Sequence, residues 1–398
     1  MQRQLILGIY VPTLLLAFCT GLLTPILPIF VRNEFVGSYG MIGLVLAAGA
    51  LGMIIGDVPA GALVGRLGLK RSMLIGIIGM ALVTLAFTWA SSVYELILYA
   101  VFVGFASTLW NISRHAYLAA ASPARQRGRS IAIFGGINRL GSSIGPVVGG
   151  ALGGWLGLRS PFFLYAALAL VALAFPILFL TESSHRAPSR GGLRGHTGHL
   201  WKVMQENYWV LFTAGSGQLF AQMIRSGRGI IVPLFAADIL GLDVGQIGLI
   251  VGISSLVDFL MFYPAGYIMD HFGRKFAYVP SFAIQALGMA LIPFTGGFFT
   301  LLLATSLIGF GNGLGSGTMM TLGADLAPDD TRSEFLGLWR LIGDGGASGG
   351  PLVVGWVAGL LGLAPATFVI AGIGLAAALA LGTLVPETLR RPSASTPA

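Results

Sequence analysis

Charged residues and cysteine are scarce in this chain of 398 residues. Only 10% of the residues are Asp, Glu, Lys or Arg, whereas a soluble domain has about 25%. Because 55% of the residues are hydrophobic, the chain has too few polar side chains to cover a water-exposed surface. Its single cysteine excludes an internal disulfide framework. We therefore expect lipid to surround most of this protein.

Long apolar runs are abundant instead. Twelve segments, from Leu5–Phe30 to Pro365–Val385, approach or exceed the length that a membrane helix needs. The first is too long for the apolar region of a cleavable signal peptide, and no small-residue cleavage site follows it. The sequence therefore predicts an all-α integral membrane protein with twelve transmembrane helices.

The basic residues are unevenly distributed between the two sides of such a bundle. Most of the 23 Lys and Arg residues fall on one side, and only Arg32 and Arg159 fall on the other. This asymmetry matches the positive-inside rule, so we expect both termini to be cytoplasmic in a bacterial inner (plasma) membrane. The net charge of +8 is thereby explained by topology, without a nucleic acid partner.

The chain also repeats itself. A shift of 205 residues aligns it with itself without a gap, for example Gly43 with Gly248. Glycine and proline dominate the matches because they fix the backbone geometry. We expect two parallel six-helix bundles at residues 1–181 and 204–398, joined by a polar cytoplasmic linker at residues 182–203. Such repeats suit rocking of the two halves about a site near the membrane midplane.

Two glycine-bearing loops, GALVGRLGLKR and GYIMDHFGRK, follow the second and eighth helices. They resemble the loop signature of the major facilitator superfamily, G-x-x-x-D-[R/K]-x-G-[R/K]-[R/K]. In the first copy Gly65 replaces the acid. The resemblance implies that the remaining acid latches the halves in one state, together with Asp325 of the tenth helix. The positions that carry it are Gly61, Arg66, Gly68 and Lys70 in the first copy and Gly266, Asp270, Gly273, Arg274 and Lys275 in the second.

The fifth helix contains NRLGSSIGPVVGG, residues 138–150, which resembles the antiporter motif of exporters in this family. Small residues one turn apart let helices approach closely, and Gly-Pro allows bending. The resemblance implies a conformational role and export, with generic glycine packing as the alternative. Ala100 stands where related drug–proton antiporters carry an arginine, so their proton path cannot be transferred. The motif positions are Gly141, Gly145, Pro146, Gly149 and Gly150.

Eight charged residues fall within the apolar segments. A charge inside a bilayer costs at least about 2.5–3.5 kcal/mol, so each is a functional candidate unless it is paired or reaches the interface. The excess of five basic over three acidic residues favours a neutral or anionic substrate. The residues are Arg114, Arg139, Arg225, Arg228, Arg340, Asp57, Asp258 and Asp344.

The expected substrate site is centred on the seventh helix. Gln218, Gln222 and Arg225 share one face of that helix and are predicted to line the central cavity. Asn138 and Arg139 of the fifth helix are expected to contribute to the same cavity. A structural role for Arg139 in hydrogen bonding is the alternative.

Three residues are candidates for proton coupling: Asp258, Asp344 and His115. Asp258 could equally be the partner of a cavity arginine, and Asp344 could pair with Arg340 one turn away. His115 titrates in the physiological range. Near it, an ion pair between Asp57 and Arg114 is the structural expectation.

These features predict a secondary transporter that exports a small amphipathic molecule, neutral or anionic, by alternating access with proton antiport. A proton-symporting importer or an organic-anion exchanger is the alternative in the same class. A non-coupled membrane sensor or lipid scramblase is the alternative in another class. We expect a monomer in the lipid bilayer, with substrate and protons as its partners. We expect no enzyme activity, metal or cofactor.

Overall fold

A computed structural model describes residues 2–35, 37–121, 127–182 and 201–389. The predicted all-α fold is confirmed, since no β-strand occurs in these ranges. Of the expected linker, residues 183–200 lie outside the described residues. The long helical spans are α1 Ile6–Phe35, α2 Tyr39–Leu67, α3 Leu69–Trp89, α4 Val93–Ala121, α5 Arg127–Leu156, α6 Ser160–Phe179, α7 Tyr208–Asp238, α8 Val244–His271, α9 Lys275–Phe294, α10 Phe298–Leu326, α11 Arg332–Leu361 and α12 Leu363–Thr383.

Nine of these spans, within the described ranges, are long and apolar enough to cross a membrane by length and composition. Large side chains such as Leu178 of α6 and Phe299 of α10 are exposed, as expected for a surface that faces lipid. The remaining spans α5, α7 and α11 are 30, 31 and 30 residues long and contain Arg139, Arg225, Arg228, Arg340 and Asp344. The other interior charges lie one each on α2, α4 and α8.

The glycines of the fifth-helix motif pack this helix against its own half. A Cβ on Gly145 would lie 2.7 Å from the Cα of Gly21 on α1. Gly141 and Gly149, one turn to either side, contact the α1 backbone in the same way. Three of the predicted motif glycines therefore form one face that holds α5 close to α1.

The two halves meet along α2 with α11 and along α5 with α8. A Cβ on Gly43 would lie 3.0 Å from the Cα of Gly355, and a Cβ on Gly150 would lie 2.6 Å from the Cα of Gly248. The carbonyl of Pro146 also faces Gly248. These two contacts are equivalent under the 205-residue repeat. Gly150 thus differs from the other motif glycines, because it packs against the opposite half.

Among the described residues, the close glycine contacts between the halves are grouped at one end of the bundle. We call the end that carries Lys70 and Lys275 the basic end, and the other the opposite end. The glycine contacts between the halves lie toward the opposite end. At the basic end, glycines on the same four helices have no atom within 4 Å of an added Cβ, namely Gly61, Gly136, Gly266 and Gly337. The space between the halves therefore opens toward the basic end.

Side chains also close the opposite end. Asp238, at the end of α7, accepts hydrogen bonds from Arg32 Nε at 3.2 Å and from Tyr39 Oη at 2.8 Å. Arg32 and Tyr39 belong to the first half and Asp238 belongs to the second. This ion pair therefore joins the halves at the opposite end.

Two spans are interrupted beside the interior charges. α8 is interrupted at Met261, three residues after Asp258, between Val244–Leu260 and Phe262–His271. α10 is broken between Phe298–Leu314 and Thr318–Leu326, where Gly317 has a left-handed φ of 73°. The glycine-rich run of α10 accordingly supplies a helix break as well as close packing, and the break leaves backbone carbonyls available to side chains.

Candidate functional site

A cavity of about 510 Å³ lies among α7, α10 and α11. It contains the predicted seventh-helix residues and two charged residues of α11. Asn138 and Arg139 are not among its described lining residues. Its charged and amide lining side chains are Gln218, Gln222, Arg225, Arg340 and Asp344.

Arg225 is held by neutral groups. Its Nη2 donates to the carbonyl of Gly315 at 3.0 Å, in the break of α10, and its Nη1 donates to Gln222 Oε1 at 3.3 Å. The guanidinium lies over the ring of Phe282, 5.2 Å from the ring centroid. Its Nε is buried without a hydrogen-bond acceptor. Among the described residues no carboxylate pairs with Arg225, so its charge is not neutralised locally.

Asp258 of α8 lies between two arginines. Its Oδ1 accepts a hydrogen bond from Arg139 Nη1 at 2.7 Å, and its Oδ2 accepts one from Asn312 Nδ2 at 2.8 Å. Arg228 Nη2 lies 4.0 Å from Oδ2. Because Arg139 belongs to the first half, this cluster crosses between the halves. We call these four residues the α5–α8 tie.

A second ionic cluster crosses between the halves on the other pair of helices. Arg340 Nη2 lies 3.3 Å from Asp57 Oδ1, and Arg340 Nε lies 3.5 Å from Asp344 Oδ2. Asp57 belongs to α2, and the other two residues belong to α11. We call these three residues the α2–α11 tie. The sequence predicts the contact within α11 and misses the contact with Asp57.

The expected ion pair between Asp57 and Arg114 is wrong, since Asp57 pairs with Arg340. Arg114 lies instead over the rings of Trp110 and Phe134, at 5.3 and 4.7 Å from their centroids. Aromatic faces attract a guanidinium, which accounts for this placement without an acid. Sequence spacing could show that Asp57 and Arg114 have similar depth, but not which helices adjoin.

His115 makes only local contacts within the described ranges. Its Nδ1 lies 2.7 Å from the carbonyl of Asn111, and its ring meets that of Phe134 edge-on at 5.0 Å. No carboxylate is among its described partners. This predicted proton-coupling residue therefore has no described carboxylate contact, although it lies within electrostatic range of Arg340.

The first half contributes an apolar wall. A second cavity of about 360 Å³ extends along α1 to α4, with Gly229 of α7 at its boundary. None of its described lining residues is charged; six are aliphatic or methionine, and five carry a hydroxyl, as Thr24 does. The apolar members are Leu23, Leu27, Leu46, Met53, Met80 and Val103. The interior therefore has a polar side in the second half and an apolar side in the first.

The predicted latch residues form one cluster at the basic end. Arg274 donates to Asp270 at 2.8 Å and to Asp325 at 3.2 Å. Burial lowers the pKa of Arg274, but the bonds to Asp270 and Asp325 outweigh it, and the pKa is raised overall. Thr388 also donates to Asp325 at 2.9 Å. All described partners of this cluster belong to the second half, so in this state it does not join the halves.

In each half, a glutamate that follows the last helix accepts hydrogen bonds from the loop between the second and third helices. Glu387 accepts the backbone N–H groups of Arg274 and Lys275 at 2.9 and 3.0 Å. Burial raises the pKa of Glu387, but the backbone N–H donors prevail, and its pKa is lowered. In the first half Glu182 accepts the backbone N–H of Lys70 at 3.2 Å. Gly68 and Gly273, with φ of 87° and 129°, make these turns possible.

Arg66 and Gly61 of the first copy are exposed at the basic end, and Gly65 stands where the second copy has its acid. From the sequence, Asp57 is only a charged candidate with Arg114 as its expected partner, and Asn312 is not singled out. Asn312 binds Asp258, and Asp57 binds Arg340. A polar residue within an apolar run was the available signal for Asn312.

The chain matches the family model described as Major Facilitator Superfamily over residues 9–224 and 214–398. It is 23% identical over 360 residues to an uncharacterized MFS-type transporter of Methanocaldococcus jannaschii, covering 89% of this chain and 92% of that one. It is 26% identical over 318 residues to Multidrug resistance protein 2 of Bacillus subtilis, covering 77% of each. The structure of a D-xylose-proton symporter superposes with a TM-score of 0.75 at 18% identity, over 97% and 98% of the chains.

Proposed function

Because the chain belongs to the Major Facilitator Superfamily, we propose that it is a secondary transporter that exports a small amphipathic molecule with an anionic group. The two halves rock about the interior site, so that the site opens to one side of the membrane at a time. In the structure the space between the halves opens toward the basic end. This supports a state that can receive its substrate from that end.

Arg225 is the observation that carries the choice of an anion. It lines the cavity of about 510 Å³ with no carboxylate partner among the described residues. A guanidinium in a low-dielectric interior is costly unless a negative charge or oriented dipoles compensate it. A carboxylate is its natural ligand, because two parallel N–H donors match two carboxylate oxygens. We therefore propose that Arg225 binds the anionic group of the substrate and that Gln218 and Gln222 lie beside that group.

The apolar wall of the first half supports an amphipathic substrate. Its aliphatic lining offers no charge to a ligand, but it can remove a hydrocarbon or aromatic body from water. Each Å² of apolar surface removed from water contributes about 25 cal/mol. One molecule could then place its acid group on α7 and its apolar body against α1 and α4.

The positive-inside rule supports a cytoplasmic basic end, with both termini in the cytoplasm of a bacterium and the chain in its inner membrane. Under this orientation the open cavity faces the cytoplasm, as loading for export requires. One copy contains both halves and both walls of the site, so a monomer is sufficient. The name of the Bacillus subtilis relative, Multidrug resistance protein 2, is consistent with export.

Exchange of one organic anion for another is the second candidate function. The α5–α8 tie and Arg225 together contain three arginines and one carboxylate. An interior with this surplus of positive charge is suited to hold an anion in both directions of the cycle. Exchange would need no proton.

Ligand binding tests the anion assignment. Naphthoate, naphthol and naphthylmethylammonium have similar apolar bodies and different charges. We expect naphthoate to raise the melting temperature of the purified protein most. Arg225→Gln should weaken naphthoate binding by about tenfold or more, because a charge-assisted hydrogen bond is lost. Arg159→Gln, an exposed arginine at the opposite end, is the control. Preferential stabilisation by the ammonium, unchanged in Arg225→Gln, would show the assignment to be wrong.

Flux in proteoliposomes tests the direction and the coupling. An imposed pH gradient should drive naphthoate against its own concentration gradient. Acceleration by a second anion on the far side, without any effect of pH, would instead identify an exchanger. Flux that only equilibrates, with no response to either, would exclude coupled transport and favour a uniporter or scramblase.

A further inference from the structure

We propose that Asp57 and Asp344, bridged by Arg340, bind the proton that couples transport to the movement of the two halves. The assignment rests on the transport cycle proposed above, but the protonation itself can be measured without a substrate. It concerns the α2–α11 tie and not the site around Arg225.

The geometry places both carboxylates on one guanidinium. Arg340 Nη2 approaches Asp57 at 3.3 Å and Arg340 Nε approaches Asp344 at 3.5 Å. Asp57 lies on α2 of the first half, whereas Asp344 lies one turn from Arg340 on α11 of the second half. The guanidinium therefore connects the halves on the side of the interior that leads to the basic end.

The charges in this tie do not balance. One guanidinium faces two carboxylates, which leaves one negative charge in excess. Asp57 Oδ1 and Asp344 Oδ2 are buried, and neither accepts a hydrogen bond within the described part of the chain. A surplus charge at membrane depth is costly, and a single proton removes it. Since the carboxylates share one arginine, they bind that proton as a pair.

The other charged groups near the tie already have partners or lie against aromatic rings. On α4, Arg114 lies over aromatic rings and His115 bonds to a backbone carbonyl. On α7, Arg225 bonds to Gly315 and Gln222. On α3, the basic groups lie at the basic end against Glu182. The sequence of α12 has no ionisable side chain. None of these contacts supplies the second positive charge that the tie lacks.

An unpartnered amide beside the tie points to the same site. Gln218 is only 6% exposed, and its Oε1 is buried without a hydrogen-bond donor. It lines the cavity that Arg340 and Asp344 also line. An ionised carboxylate has no proton to offer such an oxygen, whereas a protonated carboxyl or a water that it binds has one.

The α5–α8 tie makes a poorer proton site. Asp258 has one arginine at 2.7 Å, a second at 4.0 Å and the amide of Asn312 at 2.8 Å. Its negative charge is therefore compensated by these three donors. We therefore assign Asp258 as the counter-ion of Arg139 and Arg228, and we assign proton binding to the α2–α11 tie.

A proton on the pair changes the connection between the halves. With both carboxylates ionised, Arg340 is attracted to both halves. With Asp57 neutral, Arg340 keeps only Asp344 of its own half, and the attraction across the interface is weaker. Proton binding thereby favours separation of α2 from α11, and proton loss favours the connected state.

Infrared difference spectroscopy on the full chain in lipid nanodiscs tests the proton site directly. Acidification should produce the carbonyl-stretch band of a protonated carboxyl, which Asp57→Asn and Asp344→Asn should each diminish. Glu206→Gln, a substitution at an exposed position, is the matched control and should retain the band. A band that persists in both variants, or that disappears only in Asp258→Asn, would overturn the assignment.

Spin labels test the coupling to movement. Gly61→Cys on α2 and Gly337→Cys on α11 add side chains in open space at the basic end, and Cys19 is buried. The distance between the labels should increase as the pH falls, and Asp344→Asn should abolish this response. Asp344→Glu should restore it, which separates proton binding from a folding defect. An unchanged response in Asp344→Asn would contradict the proposal.

The outcomes separate this inference from the proposed function. The substrate assignment and the proton site would both be supported if Arg225→Gln lost naphthoate binding while its spin-label distance still responded to pH. If wild type fails to bind naphthoate but keeps the pH response, the substrate assignment fails and the proton site stands. If naphthoate binds and the carboxyl band does not depend on Asp57 or Asp344, only the proton site fails.

Discussion

The two halves of this protein have equivalent backbone contacts and different charges. Gly43 meets Gly355 and Gly248 meets Gly150, as the repeat requires. The two ties are also arranged alike. In each, an acid on the second helix of one half, α2 or α8, pairs with an arginine on the fifth helix of the other half, α11 or α5. One tie has two acids to one arginine, and the other has two arginines to one acid.

The positions of the ties also differ by one helical turn. The position equivalent to Asp57 is Phe262, whereas Asp258 lies four residues earlier. The position equivalent to Arg340 is Gly135, whereas Arg139 lies four residues later. Both shifts move the α5–α8 tie toward the opposite end. The comparison teaches that the repeat fixes how the helices meet, while the charged residues are placed separately in each half.

Breaking the α5–α8 tie should have the largest effect. Asp258→Asn leaves Arg139 and Arg228 without a counter-ion, and removing one partner of a buried pair costs about 3–5 kcal/mol. Unfolding by SDS titration should show this loss, and Arg139→Gln in the same chain should restore part of it. The substitution Asp57→Asn should cost less, because Arg340 keeps Asp344. Equal losses of unfolding free energy in Asp258→Asn and Asp57→Asn would contradict the predicted difference between the two ties.

Breaking the glycine contact should have an intermediate effect. Gly150→Val places a side chain where a Cβ alone would lie 2.6 Å from Gly248 Cα. We expect a loss of about 1–3 kcal/mol from overpacking, with increased accessibility of the opposite end to a thiol reagent at an introduced cysteine. Gly61→Val, on a glycine with no atom within 4 Å of its Cβ position, is the control. Similar behaviour of the two variants would mean that the halves do not depend on this contact.

The loop glutamates should give the smallest effect. The pKa of Glu387 is lowered in the folded protein, so its contribution to stability is present above its ordinary pKa and is lost as the pH falls through the lowered value. Because the residue is exposed, we expect only a few tenths of a kcal/mol. Glu387→Gln should flatten the melting temperature against pH in the acid range. A steeper acid dependence in this variant would contradict the assignment.

Much of the fold was predictable from local sequence. Apolar length gave the spans, and the face shared by Gln218, Gln222 and Arg225 predicted their place in one cavity. The partners of the charges were not predictable, because they depend on which helices adjoin between the halves. Asp57 illustrates this, since its depth suggested Arg114 and its neighbour across the interface proved to be Arg340. The break of α10 was also missed, because a glycine-rich run is compatible with packing alone.

The break of α10 has a consequence for the speed of transport. The Gly315 carbonyl accepts a hydrogen bond from one N–H group of Arg225. An arriving anion must displace this oxygen, and on departure the oxygen returns to the guanidinium. Because this carbonyl replaces the departing anion on the guanidinium, release is easier and the substrate stays bound for a shorter time. We infer that the glycines of α10 favour rapid turnover at the expense of affinity.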